Sequence, residues 1–196
     1  MNWTAVVPVK RGAARKSRLA DHLSPDERDR LSDRLAGDVL NALHEAPSVT
    51  SISILSEAPH EDQRFGWHPD LGRGLNAELI GCATQVGMRR LIVVLGDLPL
   101  VTSADIEALI EAAEQRGIAI APDRHLQGTN ALAVMDGAGF GFCFGADSYR
   151  LHRELAGDRA AIVARPGLSI DIDTPDDLAF AQAAGFVAPP HSVAGL

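Results

Sequence analysis

The sequence predicts a single-domain α/β protein in which helices cover a doubly wound, mostly parallel sheet. Its 196 residues are a typical length for one domain. Strand-like and helix-like segments alternate along most of the chain, as they do where right-handed crossovers join parallel strands. The stretch Leu91 to Leu95 is apolar at every position, which is typical of a strand covered on both faces.

Apolar periodicity and turn residues divide the chain into its elements. The predicted strands, in chain order, are 4–9, 49–55, 91–95, 118–121, 131–135, 140–144 and 168–172. The predicted helices are 24–43, 75–86, 102–117, 148–155 and 174–184. We expect 131–135 and 140–144 to form a β-pair, and 59–74, which shows little apolar periodicity, to be a loop. The domain is predicted to span 1–186, followed by a mobile tail over 187–196.

Capping residues mark where several of these helices begin. Ser24 and Glu27 have the spacing of a capping box, in which a hydroxyl and an acid three residues later satisfy each other's backbone N–H groups. Thr102 and Asp105 repeat that spacing. The segment Thr174 to Asp177 caps the last helix, so each of these helices has a defined start.

Composition narrows the classes of function. With 18 basic and 26 acidic residues the formal charge is −8, which argues against a nucleic-acid binder. Cys82 and Cys143 form no CxxC pair, so we expect neither a disulfide framework nor a zinc ribbon. No stretch reaches the ~18 apolar residues that span a bilayer. Lys10 and Arg11 follow the first apolar run, whereas the cations of a signal peptide precede it. We therefore expect a cytoplasmic protein with no membrane partner.

A cationic loop follows the first predicted strand. Residues 10–18 hold five cations in nine positions: Lys10, Arg11, Arg15, Lys16 and Arg18. Ligands of doubly wound sheets bind beyond the carboxyl ends of strands, so the loop could neutralise phosphates there. The alternative is a solvated basic turn. Neither GxGxxG nor GxxxxGK[ST] is present, which counts against a dinucleotide-binding dehydrogenase and a P-loop enzyme.

Three aspartates stand at the ends of two other predicted strands. Asp97 follows Gly96 directly after the buried strand, and Asp171 and Asp173 share one face of the last strand. Like charges on one face repel unless a cation or hydrogen bonds compensate them. The three aspartates together predict a metal site, and Mg²⁺ suits carboxylates and phosphate oxygens. The alternatives are a turn-forming Asp97 and an Asp173 that assists the cap beside Thr174.

Small and hydroxyl residues form a further candidate set. Gly128-Thr129-Asn130 and Gly145-Ala146-Asp147-Ser148 offer hydroxyls and helix-start N–H groups, which suit a carboxylate or phosphate. Gly74-Leu75-Asn76 could contact a nucleotide. Taken singly, each of these segments is better explained as a turn, a cap or a helix start than as a binding site. The histidines show no ligand spacing, so none is assigned a role, and no Gly-x-Ser-x-Gly elbow indicates a hydrolase.

Taken in chain order, these motifs resemble the CofC/FbiD guanylyltransferases. The matching segments are Pro8-Val9-Lys10, Lys16-Ser17-Arg18-Leu19, Gly74-Leu75-Asn76, Gly96-Asp97-Leu98-Pro99, Pro122-Asp123, Gly128-Thr129-Asn130-Ala131-Leu132, Phe144-Gly145 with Ser148, and Asp171-Ile172-Asp173-Thr174-Pro175. The resemblance covers Trp3 to about Ala184. Single motifs such as DTP recur in many nucleotidyltransferases, whereas GTNAL together with FG-x-x-S is much more specific.

The resemblance implies a Rossmann-related nucleotidyltransferase of the GT-A type, with a mostly parallel mixed sheet. Members of the family transfer GMP from GTP to a small phosphorylated acid and release diphosphate. The acceptor is 2-phospho-L-lactate, phosphoenolpyruvate or 3-phospho-D-glycerate, and the product enters biosynthesis of the deazaflavin coenzyme F420. The sequence leaves the acceptor and the oligomeric state open, a homodimer being one option.

The resemblance also implies roles for single residues. Asp97 and Lys10 are the expected catalytic residues, and Mg²⁺ is expected on Asp97 and Asp173, with Asp171 as the other candidate ligand. The expected nucleotide-binding residues are Lys10, Lys16, Arg18, Gly74, Asn76 and Gly96. The expected acceptor-binding residues are Thr129, Gly145 and Ser148. This assignment requires Asp97 to lie beside Asp171 or Asp173 in the folded chain.

Two other functions stay open at this point. One is a related nucleotidyltransferase that uses CTP or GTP on a sugar phosphate or a molybdopterin. The other is a non-catalytic regulator that binds a nucleotide on the same fold. The regulator would have no use for Asp97, Asp173 and Lys10 together, which disfavours it.

Overall fold

A seven-stranded sheet organises the protein, as shown in a computed structural model that describes residues 2–10, 16–85 and 89–189. The strands are β1 (Trp3–Pro8), β2 (Val49–Ser56), β3 (Gly66–Pro69), β4 (Leu91–Val94), β5 (Ile118–Pro122), β6 (Thr129–Val134) and β7 (Ala160–Ile162). Their order across the sheet is β3-β2-β1-β4-β6-β5-β7. The first four strands in this order are mutually parallel, and β5 is parallel to β7. Because β6 runs antiparallel to both neighbours, the sheet is mixed and mostly parallel, as predicted.

The described residues form six α-helices, of which four lie between strands and two follow β7. They are α1 (Pro25–Glu45), α2 (Leu75–Gln85), α3 (Ser103–Arg116), α4 (Ser148–Ala156), α5 (Pro166–Ser169) and α6 (Pro175–Ala183). The capping boxes predicted at Ser24 and Thr102 are present, and a third joins Thr174 to Asp177. The helices therefore begin where local sequence dictates. Val86, the predicted end of the second helix, lies outside the described residues.

Apolar side chains fill both sides of the sheet. Alternate residues of a strand face opposite ways, so Ile92 and Val94 pack with α1 and α3, while Leu91 and Val93 pack with α2. This double burial explains why the β4 sequence is apolar throughout. A third cluster includes Leu19, Ile170 and Ile172, and it packs the turn after β1 against the segment before α6. That cluster brings together two parts of the chain that the sheet does not connect.

The edges of the sheet differ from the sequence prediction. The predicted loop 59–74 contains β3, which pairs with β2 over four residues. Its side chains are mostly exposed, so it lacks the apolar alternation by which strands are recognised. At the other edge, β7 is a further unpredicted strand, and it is only three residues long.

Two predicted strands are absent as strands. Residues 140–144 have no ladder partner in the described chain, and β6 instead pairs with β4 and β5, so the predicted β-pair was wrong. Phe142 and Phe144 are nevertheless buried, which is why the apolar pattern imitated a strand. Residues 168–172 also form no strand, because 166–169 are the short helix α5. Burial still alternates there, since Ile170 and Ile172 are buried and the aspartates beside them are not.

Within the described residues, no helix combines the length and the apolar character needed to cross a membrane. Phe186, the last residue of the predicted domain, is buried in the third cluster, and Val187 is exposed. Residues 190–196 of the predicted tail lie outside the described residues, so its mobility stays a prediction.

Candidate functional site

Three carboxylates converge where β4 ends. One carboxylate oxygen from each of Asp97, Asp171 and Asp173 lies within 4.8 Å of the other two. Asp97 reaches this point because Gly96 lets the chain pass close to β1: a Cβ on Gly96 would lie 3.3 Å from the Pro8 carbonyl oxygen. The structure thus meets the geometric condition that the sequence assignment required.

Backbone and side-chain bonds hold the segment 168–173 in place without a strand ladder. The Ile172 N–H donates to the Asp97 carbonyl oxygen at 3.2 Å. The Asn130 side-chain amide donates to the Leu168 carbonyl oxygen at 3.1 Å and to Asp171 Oδ1 at 3.4 Å. Because Asn130 belongs to β6, the antiparallel strand fixes the position of the second and third carboxylates.

Lys16 supplies the positive charge at this cluster. Its Nζ donates to Asp97 Oδ2 at 2.9 Å and to Asp173 Oδ1 at 3.0 Å. The backbone of Lys16 is left-handed, with φ 50°, which is uncommon outside glycine. Burial by itself lowers the pKa of Lys16, but the two carboxylates outweigh it and the net pKa lies above the usual value. Lys16 was predicted to bind the nucleotide, but in this structure it is bound to Asp97 and Asp173, two of the predicted metal ligands.

One ammonium group does not fully neutralise three carboxylates. Burial first, and then the charges of Asp97 and Asp173, raise the pKa of Asp171 to about 6. Asp97 Oδ1 is buried and accepts no hydrogen bond within the described residues. A buried oxygen without a partner, next to further carboxylates, suits a hard divalent cation such as Mg²⁺. The donor set of this chain therefore fits such an ion.

A cavity of about 550 Å³ opens beside the cluster. Its lining includes predicted site residues from four separate segments: Lys10, Lys16, Arg18, Gly74, Gly96, Asp97 and Asp173. The structure thus gathers most of the predicted nucleotide-binding set around one space. Arg11 and Arg15 of the predicted cationic loop lie outside the described residues.

The predicted acceptor-binding residues form a second group at the start of α4. The Thr129 N–H donates to Ser148 Oγ at 2.8 Å, and the Ser148 N–H donates to the Gly145 carbonyl oxygen at 3.2 Å. None of the three lines the 550 Å³ cavity. Thr129 is linked to the cavity wall through its neighbour in β6, because the Leu95 N–H, at that wall, donates to the Asn130 carbonyl oxygen at 2.9 Å.

Asn76 belongs to this second group rather than to the cavity lining. Its side-chain amide donates to the Phe144 carbonyl oxygen at 3.0 Å, and its Oδ1 accepts the Phe144 N–H at 2.7 Å. Both polar ends of the side chain are occupied by the backbone. In this structure Asn76 fixes the segment that leads to Gly145. Asn76 is not among the residues that line the cavity, so its contact with the nucleotide stays a prediction.

His152 is a site residue that the sequence did not reveal. Its Nε2 accepts the Cys143 N–H at 2.9 Å, so Nδ1 carries the proton and donates to Thr129 Oγ1 at 3.0 Å. Burial lowers the pKa of the imidazole to about 4. A neutral histidine therefore connects β6 to the loop before α4. Its spacing of four residues from Ser148, on one face of a helix, was the available sequence signal.

Comparisons with known proteins agree on one family. A family model described as "Guanylyl transferase CofC like" matches residues 3–182. Phosphoenolpyruvate guanylyltransferase of Sphaerobacter thermophilus is 40% identical over 189 residues, which cover 91% of each chain. The enzyme of the same name from Chloroflexus aggregans is 37% identical over 88% of this chain and 93% of its own.

Solved structures agree on the fold. CMP:2-keto-3-deoxy-manno-octonic acid synthetase, solved with CTP, matches 94% of this chain and 98% of its own with a TM-score of 0.61. At 14% sequence identity this likeness establishes the architecture alone. The chain therefore has the nucleotidyltransferase fold that its motifs led us to expect.

We expect the buried neutral His152 to make stability fall in mild acid. Its folded-state pKa, about 4, lies below the ordinary 6.5, so the unfolded chain takes up the proton first. The stabilisation is present above pH 6.5 and is lost as the pH falls toward 4. Between pH 7 and pH 5 the loss from this group is about 2 kcal/mol in the free energy of unfolding, and proton uptake by Asp171, whose folded-state pKa is raised, offsets part of it.

Urea denaturation at several pH values measures this slope. His152→Gln should reduce the change between pH 7 and pH 5, and His22→Gln, at an exposed histidine, should leave it as in the wild type. Equal slopes for the wild type and His152→Gln would contradict the assignment.

Proposed function

We propose that this chain, which belongs to the family of CofC-like guanylyl transferases, transfers GMP from GTP to phosphoenolpyruvate and releases diphosphate. Membership makes it a guanylyltransferase, and the acceptor is inferred from the relatives named phosphoenolpyruvate guanylyltransferase. The observation that carries the proposal is the carboxylate cluster of Asp97, Asp171 and Asp173 beside a cavity lined by cations. The product would be a precursor of coenzyme F420. A cytoplasmic location, a homodimer and the absence of nucleic-acid partners stay predictions.

The reaction makes one phosphorus–oxygen bond and breaks another. An oxygen of the acceptor phosphate attacks the α-phosphorus of GTP, and the bond from that phosphorus to the departing diphosphate oxygen breaks. The attacking oxygen is already anionic, so no side chain has to remove a proton. What the protein must supply is alignment of two anions and neutralisation of their charge.

The residues at the cavity divide these tasks. Lys10 and Arg18 are exposed at the cavity wall, where their charges would reach the triphosphate. Asp97, Asp171 and Asp173 would hold Mg²⁺ through carboxylate oxygens, including the unpartnered Asp97 Oδ1. When bound, Mg²⁺ would supply positive charge next to the α-phosphate and the leaving diphosphate.

The start of α4 suits the acid group of the acceptor. Ser148 Oγ already accepts the Thr129 N–H, and Thr129 Oγ1 already accepts the His152 N–H. Each hydroxyl thus already accepts one hydrogen bond, and its own hydrogen remains available to donate to an anion. Gly145, with φ 123°, leaves the approach open on its side, since a Cβ there would meet nothing within 4 Å.

Incubation with GTP, Mg²⁺ and phosphoenolpyruvate should yield a guanylated acid together with diphosphate, detected by mass spectrometry. Phospholactate and phosphoglycerate in place of phosphoenolpyruvate test the acceptor. ATP, CTP and UTP should give no acceptor-dependent diphosphate. Turnover with CTP and a sugar phosphate alone would assign the chain a different transfer reaction, and binding of GTP without any product would make it a regulator.

Asp97→Asn should lower kcat by at least about 100-fold, because the variant loses a charge that would hold Mg²⁺ beside the reacting phosphate. The fold should be unchanged by circular dichroism. Mn²⁺ binding, followed by electron paramagnetic resonance without nucleotide, should weaken in parallel. Asp158→Asn, at an exposed acid near the β7 edge, is the matched control. Full activity of Asp97→Asn would remove Asp97 from the mechanism.

Lys16→Met should make the protein depend on Mg²⁺ for stability. The Lys16 ammonium and a metal ion would share Asp97 and Asp173, so we expect the two cations to compete. Without Mg²⁺ the variant should melt at a lower temperature than the wild type, and Mg²⁺ should raise its Tm by more. Lys10→Met removes an exposed charge from the same cavity and should keep the wild-type shift. Equal Mg²⁺ shifts in all three proteins would refute the competition.

A further inference from the structure

Asp70 is an acidic residue of the cavity wall that lies outside the carboxylate cluster. It follows β3, and its N–H donates to the Ser56 carbonyl oxygen at 2.9 Å. Its Oδ1 accepts the Gly72 N–H at 2.9 Å, so the carboxylate has a fixed direction. Asp97 follows β4, three strands away in the sheet order. At a strand spacing of ~4.8 Å this separates the two aspartates by about 14 Å.

Asp70 makes no salt bridge in the described part of the chain, although its charge is close enough to Arg73 to interact with it. The neighbouring Arg73 is paired instead with the buried Glu78, through Nη2 and Oε2 at 2.6 Å. A carboxylate at the wall of a cavity for triphosphate repels the phosphates. Asp97 and Asp173 share the Lys16 ammonium, whereas Asp70 has no such partner in the described residues, so a part of the nucleotide that donates hydrogen bonds suits Asp70 better than a phosphate.

Guanine has one edge that fits a carboxylate. Its N1–H and its 2-amino group point the same way and lie side by side, so two carboxylate oxygens can accept both hydrogens. Adenine and cytosine offer an amino group next to an acceptor nitrogen, and uracil offers one N–H between two carbonyls. A carboxylate therefore accepts two hydrogen bonds from guanine and at most one from the other bases.

The surroundings of Asp70 suit a flat base. Leu55 and Leu75 provide apolar surface at the same cavity wall. Gly72 and Gly74 both have positive φ, at 76° and 92°, and a Cβ on either would meet nothing within 4 Å, so the wall there is thin and open. An open and partly apolar stretch of the cavity wall thus adjoins the carboxylate.

We propose that Asp70 selects guanine by accepting its N1–H and 2-amino hydrogens. This inference rests on the proposed function, because it takes GTP as the nucleotide of the cavity. The base lies at the β3 side of the cavity and the α-phosphate at the β4 side. Asp70 is then a specificity residue that takes no part in the transfer itself.

Three nucleotides that differ at one ring position test the inference. ITP lacks the 2-amino group, and XTP carries a carbonyl oxygen in its place. The wild type should prefer GTP over ITP in kcat/KM on the order of 10- to 100-fold, the range that a hydrogen bond to a charged group provides. It should use XTP least, because the carbonyl oxygen would face the carboxylate.

Asp70→Asn should reverse this order. The asparagine Oδ1 can still accept the Gly72 N–H, while its amide can donate to the 2-carbonyl of xanthine. We expect the preference for GTP over ITP to collapse toward one and XTP to become the better substrate. Glu61→Gln, at an exposed acid of the same 59–74 segment, should keep the wild-type order.

Calorimetric binding of the three nucleotides, without acceptor, separates this inference from the proposed function. A wild type that binds GTP over ITP but forms no product supports the base contact and rejects the transfer reaction. Equal binding of GTP and ITP by the wild type would overturn the base contact even if Asp70→Asn failed to fold. An unchanged GTP preference in folded Asp70→Asn would overturn it as well.

Discussion

Mutual repulsion among Asp97, Asp171 and Asp173 is the constraint on which the rest of this site depends. Three carboxylates within 4.8 Å of one another do not stay together unless the surrounding chain holds them and a cation offsets their charge. Contacts from three separate segments hold the carboxylates in position. Gly96 permits the approach of β4 to β1, Ile172 bonds to the Asp97 carbonyl oxygen, and Asn130 reaches across from β6. The offset comes from Lys16, whose ammonium donates to Asp97 and Asp173 and whose backbone is left-handed. The unusual backbone of Lys16 and the contacts of Gly96, Asn130 and Ile172 thus act together to hold the three carboxylates in place.

The antiparallel strand β6 connects the two halves of the site. In a purely parallel sheet, every strand would end with its carboxyl end at the cavity. Because β6 runs the other way, its amino end lies there instead, so Thr129 and Asn130 stand beside Leu95 at the close of β4. Asn130 donates to the carboxylate of Asp171, and Thr129 donates to Ser148 at the start of α4. A single reversed strand thus connects the cavity wall to the candidate acceptor group, as the proposed in-line transfer requires.

Sequence patterns predicted the parts of this molecule whose structure is set locally. The capping boxes of α1 and α3 and the doubly buried β4 follow from neighbouring residues alone, and they appear as predicted.

The predictions that failed did so for long-range reasons. The strand β3 is exposed, so only its pairing with β2 defines it, and Phe142 and Phe144 are buried by packing that needs no ladder. The aspartates at 171 and 173 share a face even without a strand, because the buried isoleucines beside them impose the same alternation. The role of Lys16 as a partner of the carboxylates depends on a fold that brings residues 81 and 157 positions apart into contact, which no local pattern contains.

The distribution of charge makes the two ends of the cavity electrostatically different. Acidic groups stand at both ends, Asp70 beyond β3 and Asp97 with Asp173 beyond β4, and Lys10, Lys16 and Arg18 lie in the turn that follows β1 between them. A nucleotide is itself directional, with hydrogen-bond donors on its base and negative charge on its phosphates. Its phosphates are repelled from Asp70, which has no cation paired with it in the described residues, whereas the acids beyond β4 are offset by Lys16 and suit a further cation. Placing the nucleotide backwards would set phosphate against Asp70, whereas a divalent ion bound to the cluster beyond β4 would attract it, so with that ion bound electrostatics favours one orientation. Orientation and base choice would then arise from the same asymmetry: a carboxylate with no salt bridge among the described residues at one end of the cavity, and a carboxylate cluster that suits a further cation at the other.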